Sequence, residues 1–192
     1  RWPAMPSTVA ADQPSLRFST APGRIFDGRQ GPTVFKDLAG LPVAERDPWT
    51  LNLFVWLPAD PPNHTIIAGF GDTTRGPGTQ HYLAKLYGEA YCWGGAPVTD
   101  IGGGTQFDIG MWQMWTIVYD GRNLSHYKDG KFLRSAGVFL DDAVNEIQIA
   151  PNPPWPDEPQ TRFQGKVANL SLYRGVLPPE EIARLMVEMP KE

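Results

Sequence analysis

Cysteine occurs once in this chain, at Cys92. No disulfide can therefore form within it, and no site built on several thiolates is available. A single cysteine in a strand pattern reads as a small buried hydrophobe. No apolar stretch approaches the roughly 18 residues needed to span a bilayer. There is no run or stripe of lysine and arginine, and the net charge is −4, so nucleic acid is not an expected partner. His64, His81 and His126 are scattered, and neither HExxH nor GxSxG occurs. No secretory signal is visible; because the chain opens at Arg1, it reads as a trimmed module or mature fragment.

What is present is aromatic and turn-rich. Hydrophobic residues make up 41%, with seven Trp and nine Phe, enough to fill a core between two sheets. The 20 Gly and 20 Pro are dispersed among turns, as many short strands require. At 192 residues the length suits one sandwich domain. The most informative run is residues 112–133, WQMWTIVYDGRNLSHYKDGKFL. Met114, Thr116 and Val118 alternate with Trp115, Ile117 and Tyr119, the two-residue period of a strand. Asp120-Gly121 supplies a tight reversal, residues 124–128 return, and Asp129-Gly130 reverses the chain again. This meander predicts an all-β fold.

Trp115, the Asp120-Gly121 turn and Tyr127-Lys128-Asp129-Gly130 together resemble the core signature of the laminin-G-like (concanavalin A-like) jelly roll. Phe26-Asp27-Gly28 resembles that family's early FDG turn, and residues 49–57 (WTLNLFVWL) the strand ending in a buried Trp. Residues 163–185 resemble its closing strand and following short helix. The resemblance spans about residues 24–186 in the expected order. It implies a two-sheet antiparallel jelly-roll sandwich with one short C-terminal helix, and makes Trp49, Trp56 and Trp115 sandwich filling. Function stays open, because the fold carries lectins, hydrolases, lyases and adhesion modules.

The organisation expected is an N-terminal arm or linker over residues 1–23, rich in Pro, Ser, Thr and Ala, and a single LamG-like domain over residues 24–192. Pro178-Pro179-Glu180-Glu181 opens a helix, with Pro near its first position and acids in its first turn. Ile182, Leu185 and Met186 share one apolar face of it. Sequons stand at Asn63, Asn123 and Asn169.

Two polar loops are long enough to hold a site, residues 71–80 and 151–161. In the second, Trp155 lies between prolines with Asn152, Asp157 and Glu158 nearby. A stiffly held indole offers a flat face to a sugar ring, and carboxylates and amides pair with hydroxyls. The alternative is that Trp155 plugs the end of the sandwich. Residues 81–93 read as a hairpin turning at Gly88-Glu89. Tyr82, Ala84, Leu86, Tyr91 and Trp93 share one face; His81, Leu83, Lys85, Tyr87, Ala90 and Cys92 share the other. The first face is the more apolar and is expected to be core, since turning the second inward would bury Lys85. Were the first face outward instead, Tyr91 and Trp93 would form a sugar platform. Trp112, near a strand entrance, is a candidate for exposure.

The resemblance also raises catalysis. Glucanases of this fold carry paired carboxylates as Glu-x-Asp-x-x-Glu, and nothing here matches. Glu45-Arg46-Asp47 lacks the third acid, and Asp141-Asp142 reads as a solvated turn. A sugar-active hydrolase or lyase would have to rely on His81, Tyr82 and Arg75. No cofactor is required, though Ca2+ at the rim is an option, with Asp72 and Thr73 or Asp157 and Asn152 as oxygen donors. The leading expectation is a noncatalytic carbohydrate-binding module of a larger exported, bacterial protein, extracellular or periplasmic. Its partners would be poly- or oligosaccharides and other domains of the same polypeptide. Its ligand contacts would be Trp155, Asn152 and Asp157, with Trp93, Tyr91, Arg75 and His81. The alternative class is a structural or adhesive module that binds protein.

Overall fold

A computed structural model describes residues 15–18, 25–36, 44–71, 78–143, 146–152 and 161–191. Two antiparallel sheets form a jelly-roll sandwich, the all-β fold that the strand periodicity predicts in the form that the laminin-G-like resemblance implies. The larger sheet carries β1 (Ser15–Phe18), β2 (Ile25–Asp27), β5 (Trp49–Trp56), β10 (Trp112–Tyr119), β11 (Asn123–Lys128), β12 (Lys131–Gly137) and β15 (Gln164–Arg174). Its order is β1-β15-β5-β10-β11-β12, with β2 also on β15. Part of the expected arm, Ser15–Phe18, thus serves as an edge strand. The second sheet runs β3 (Thr33–Phe35), β14 (Ile147–Ile149), β6 (Thr65–Gly71), β7 (Gln80–Leu86), β8 (Glu89–Trp93) and β9 (Ile101–Gly102). A small ribbon pairs β4 (Ala44–Glu45) with β13 (Asp142–Ala143).

Between the sheets, Trp49, Leu51, Leu53 and Val55 of β5 and Trp115, Ile117 and Tyr119 of β10 meet Phe70, Leu83, Cys92 and Ile147. Cys92 is fully buried there, as expected. Trp56 departs from the expectation that it fills the sandwich. It lies seven residues after Trp49, an odd step, so the strand's alternation turns it to the opposite side. There it is half-buried beneath Lys166, whose Nζ sits 4.7 Å from the ring centroid.

The outer face of the larger sheet is covered by the C-terminal segment. Helix α1 (Pro179–Arg184) begins with Pro at N1 and Glu180 and Glu181 in its first turn, and continues as a 3₁₀ turn over Leu185–Glu188. Ile182, Leu185 and Met186 pack on Phe54, Met114 and Val118, the expected face. A bulge in β15 supports this cover: Asn169 takes φ +46° and its side-chain amide donates to the Glu188 carbonyl at 3.0 Å. Among the described residues no helix is long and apolar enough to cross a membrane.

The turn Asp129-Gly130 forms as predicted, with φ of +49° and +73°. The β7–β8 turn does not sit at Gly88-Glu89. It is Tyr87-Gly88, with φ of +48° and +86°. Two positive φ values define the mirror-image turn whose twist suits a two-residue hairpin, and it places glycine second rather than first.

Candidate functional site

The second sheet turns one face to the core and one outward, and the register decides which residues go where. His81 stacks on Trp49, centroids 5.4 Å apart, and packs edge-on against Phe70 at 5.5 Å. Leu83, Ala90 and Cys92 share that inner side. The expected assignment of the two hairpin faces is therefore reversed: Tyr82, Ala84, Leu86 and Trp93 lie outside the sandwich core, in a separate cluster with Ile66. The objection to this arrangement was Lys85, and Asp60 removes it. Lys85 stands at the end of the sheet, where its ammonium reaches out to that exposed carboxylate.

Across the outward face the pairing aligns Gln148 with Gly69, Gly69 with Tyr82, and Tyr82 with Trp93. Glycine at 69 is a steric necessity. The register shifts between Ile66 and Ala68, and a Cβ at 69 would lie 2.1 Å from the His81 carbonyl oxygen. With no side chain there, nothing from β6 stands between Gln148 and Tyr82 in this row. A cleft of about 430 Å³ follows the row, within the range of small-ligand sites. Ile66, Tyr82 and Trp93 give it an apolar side; Gln80, Gln148 and Asn152 give it amides, and Pro32 and Pro151 stiffen one end.

The Tyr82 and Trp93 rings are tilted at 47° with centroids 6.1 Å apart. Tyr82 is only 1% exposed, and its hydroxyl has no hydrogen-bond partner among the described residues. Burial, reinforced by the Glu146 carboxylate, pushes that hydroxyl well above the usual tyrosine range, so it remains a proton donor. Gln148 donates through Nε2 to Glu146 Oε1, which fixes its amide at the cleft wall. The cleft thus joins an aromatic corner to an unsatisfied hydroxyl and several amides, a combination suited to a polyhydroxylated ligand. Among the described residues lining it there is no Asp or Glu.

Of the predicted contacts, Trp93 and Asn152 line this cleft. Tyr91 shares the outward face but leans over β9, where a Cβ at Gly102 would come within 3.0 Å of its Cζ. Burial first, then Glu89, raises its pKa. His81 is on the core side, away from the cleft. Trp155, Asp157 and Arg75 lie outside the described residues, as do Asp72, Thr73 and Glu158. Gln80 and Gln148 were not anticipated. Both belong to strands far apart in sequence, and only the two-residue alternation around Tyr82 could have flagged Gln80. Among the described residues, no three His, Cys, Asp or Glu side chains gather as metal ligands.

Away from the cleft, His126 is buried against β9. Its Nε2 donates to the Ile101 carbonyl at 3.0 Å, while Nδ1 has no partner among the described residues. Burial lowers its pKa to about 4, so the ring is neutral.

Two antiparallel sheets packed face to face, with a cleft on the outer side of one, define a jelly-roll sandwich. A family model for the concanavalin A-like lectin/glucanases superfamily matches residues 28–183, and the chain belongs to that superfamily. No curated protein matches the chain. Among solved structures, domain 4 of AbnA, a GH43 extracellular arabinanase from Geobacillus stearothermophilus, in complex with arabinotriose, superposes with a TM-score of 0.59 at 19% identity. That alignment covers 90% of this chain and 88% of the other. The Trypanosoma rangeli sialidase, in complex with the inhibitor DANA, gives 0.53 at 20% identity, over 73% of this chain and 23% of that one. The binding domain of Paraclostridial Mosquitocidal Protein 1 gives 0.51 at 13%, over 73% and 37%. At these identities the likeness is one of fold.

Proposed function

We propose that this chain is a noncatalytic carbohydrate-binding module that takes a glycan into the cleft on the outward face of its second sheet. The observation that carries this reading is the cleft itself, which Tyr82 and Trp93 line together with Gln80, Gln148 and Asn152, and where the buried Tyr82 hydroxyl has no partner among the described residues. A sugar supplies both an apolar ring face for the aromatic corner and hydroxyls for the amides. A buried hydroxyl that waits for a partner gains more from such a ligand than a solvated one would. The arabinotriose complex of the fold relative agrees with this reading.

The segment carrying Trp155 and Asp157 leaves the described chain at Asn152, on the cleft, and these two side chains are proposed as further contacts. Residues 24–192 are proposed as one binding unit, attached to a larger exported bacterial protein and acting outside the cytoplasm. There it would hold its parent near a polymeric substrate and raise the effective concentration. The test is binding of the purified chain to a panel of plant, algal and microbial polysaccharides, with and without chelator, beside Tyr82→Phe and Trp155→Ala. Binding weakened by Tyr82→Phe in a folded protein supports the cleft. Failure to bind any glycan removes the reading and favours a protein-binding role.

A further inference from the structure

The cleft does not end at Asn152. Pro151 and Asn152 also line a narrow notch beside Phe26 and Gly28, and Arg162 is part of the same lining. Arg162 in turn borders a second depression, of about 230 Å³, shaped by the loop from Pro58 to Pro62 and by Gln164. The three hollows therefore share walls in series: Asn152 joins the first two, and Arg162 the last two.

The charges at this second depression are unequal. Asp60 is held by the Lys85 ammonium, so that pair is internally compensated. Arg162 is half-buried and makes no hydrogen bond or ion pair among the described residues. A guanidinium is a fork of donors that matches a carboxylate or a sulfate in bidentate fashion, and it stays charged at any working pH. Set in a walled depression, it is less screened than an arginine free in solvent.

We propose that the Arg162 depression is a second subsite that takes an anionic substituent, a uronate carboxylate or a sulfate ester, on a sugar of the same glycan that occupies the Tyr82 cleft. This rests on the glycan-binding reading above and adds to it the class of polymer: one carrying negative charge, bound along its length rather than at a single unit. The protein's own net charge of −4 opposes polyanions in general, so the preference is a property of this one position.

The experiment uses the full chain with matched polymers: homogalacturonan with its carboxylates methyl-esterified or free, and dextran beside dextran sulfate. The charged member of at least one pair binds about tenfold or more tightly, and added salt erodes that margin. The pair that responds tells carboxylate from sulfate. Arg162→Gln abolishes the preference, and Arg162→Lys restores part of it. Two results overturn the subsite alone: neutral glycans that bind through Tyr82 with no preference for either charged polymer, or a preference that survives in Arg162→Gln. Absence of binding to every glycan, neutral or charged, overturns the subsite and the cleft reading together.

Discussion

Tyr82 and Trp93 stand directly opposite one another on β7 and β8 with their rings tilted, and the tyrosine hydroxyl is buried without a partner among the described residues. A group of this kind works against folding until a ligand satisfies it. Tyr82→Phe should therefore separate stability from binding. Removing the hydroxyl stabilises the free protein by about 1 kcal/mol, read as a higher urea midpoint at unchanged m-value. The same change weakens glycan binding. A variant that is both less stable and unchanged in binding would show that the hydroxyl serves the fold.

Gly69 and Gly31 make a matched pair of glycines with opposite expectations. At 69 an added Cβ meets the His81 carbonyl and the Tyr82 Cα, whereas at 31 it meets nothing within 4 Å. Gly69→Ala should cost about 2 kcal/mol or more in urea unfolding, because β6 and β7 must part to admit the methyl group. Gly31→Ala should lie within about 0.5 kcal/mol of the parent protein. Equal effects at the two positions would contradict the close approach of the strands.

His126 predicts a pH dependence. Its folded pKa of about 4 lies below the ordinary value of 6.5. Between those values the unfolded chain takes up a proton that the folded chain refuses, so stability is full above pH 6.5 and falls as the pH drops toward 4. The loss attributable to this ring is on the order of 3 kcal/mol. His126→Gln, which can still donate to the Ile101 carbonyl, should flatten the stability–pH curve across that window. An unchanged slope in the variant would assign the acid sensitivity to other groups.

Asn52 and Thr116 meet in the centre of the larger sheet, the threonine hydroxyl donating to Asn52 Oδ1 at 2.7 Å, both side chains buried. Thr116→Val leaves the amide without that donor and should cost about 1–3 kcal/mol. Adding Asn52→Leu should recover part of that loss, because no orphaned group remains. Strict additivity in this double-mutant cycle would mean the bond contributes nothing.

The backbone plan was readable because it is local. The two-residue period of residues 112–133, the Asp129-Gly130 reversal and the Pro-Pro-Glu-Glu helix start each depend on neighbours in sequence, and each forms as expected. The direction a strand face takes is not local. Alternation separated Tyr82 and Trp93 from His81 and Cys92, yet it could not say which set meets the opposing sheet. Lys85 argued for the wrong choice because its partner, Asp60, lies 25 residues away. Trp56 is a different kind of error, since its odd spacing from Trp49 already excluded one face for both. Of the residues that line the cleft, Trp93 and Asn152 are also candidates that the sequence singles out, although Trp93 was expected in the core. Gln148 reaches it through the β14–β6 pairing, a contact between strands roughly eighty residues apart that no local pattern announces.

The amide of Asn169 that braces the Glu188 carbonyl is also the acceptor nitrogen of a glycosylation sequon. The Asn123 amide is likewise occupied, donating to Asp120 Oδ2, whereas Asn63 is exposed and its side-chain carbonyl accepts from the Gly88 N–H. Production in a eukaryotic secretory host would thus set oligosaccharide transfer at Asn169 against closure of the C-terminal segment over Phe54 and Met114. Chains decorated there would reach the end of synthesis with that apolar face uncovered, and the host's quality control rather than the purification column would decide the yield.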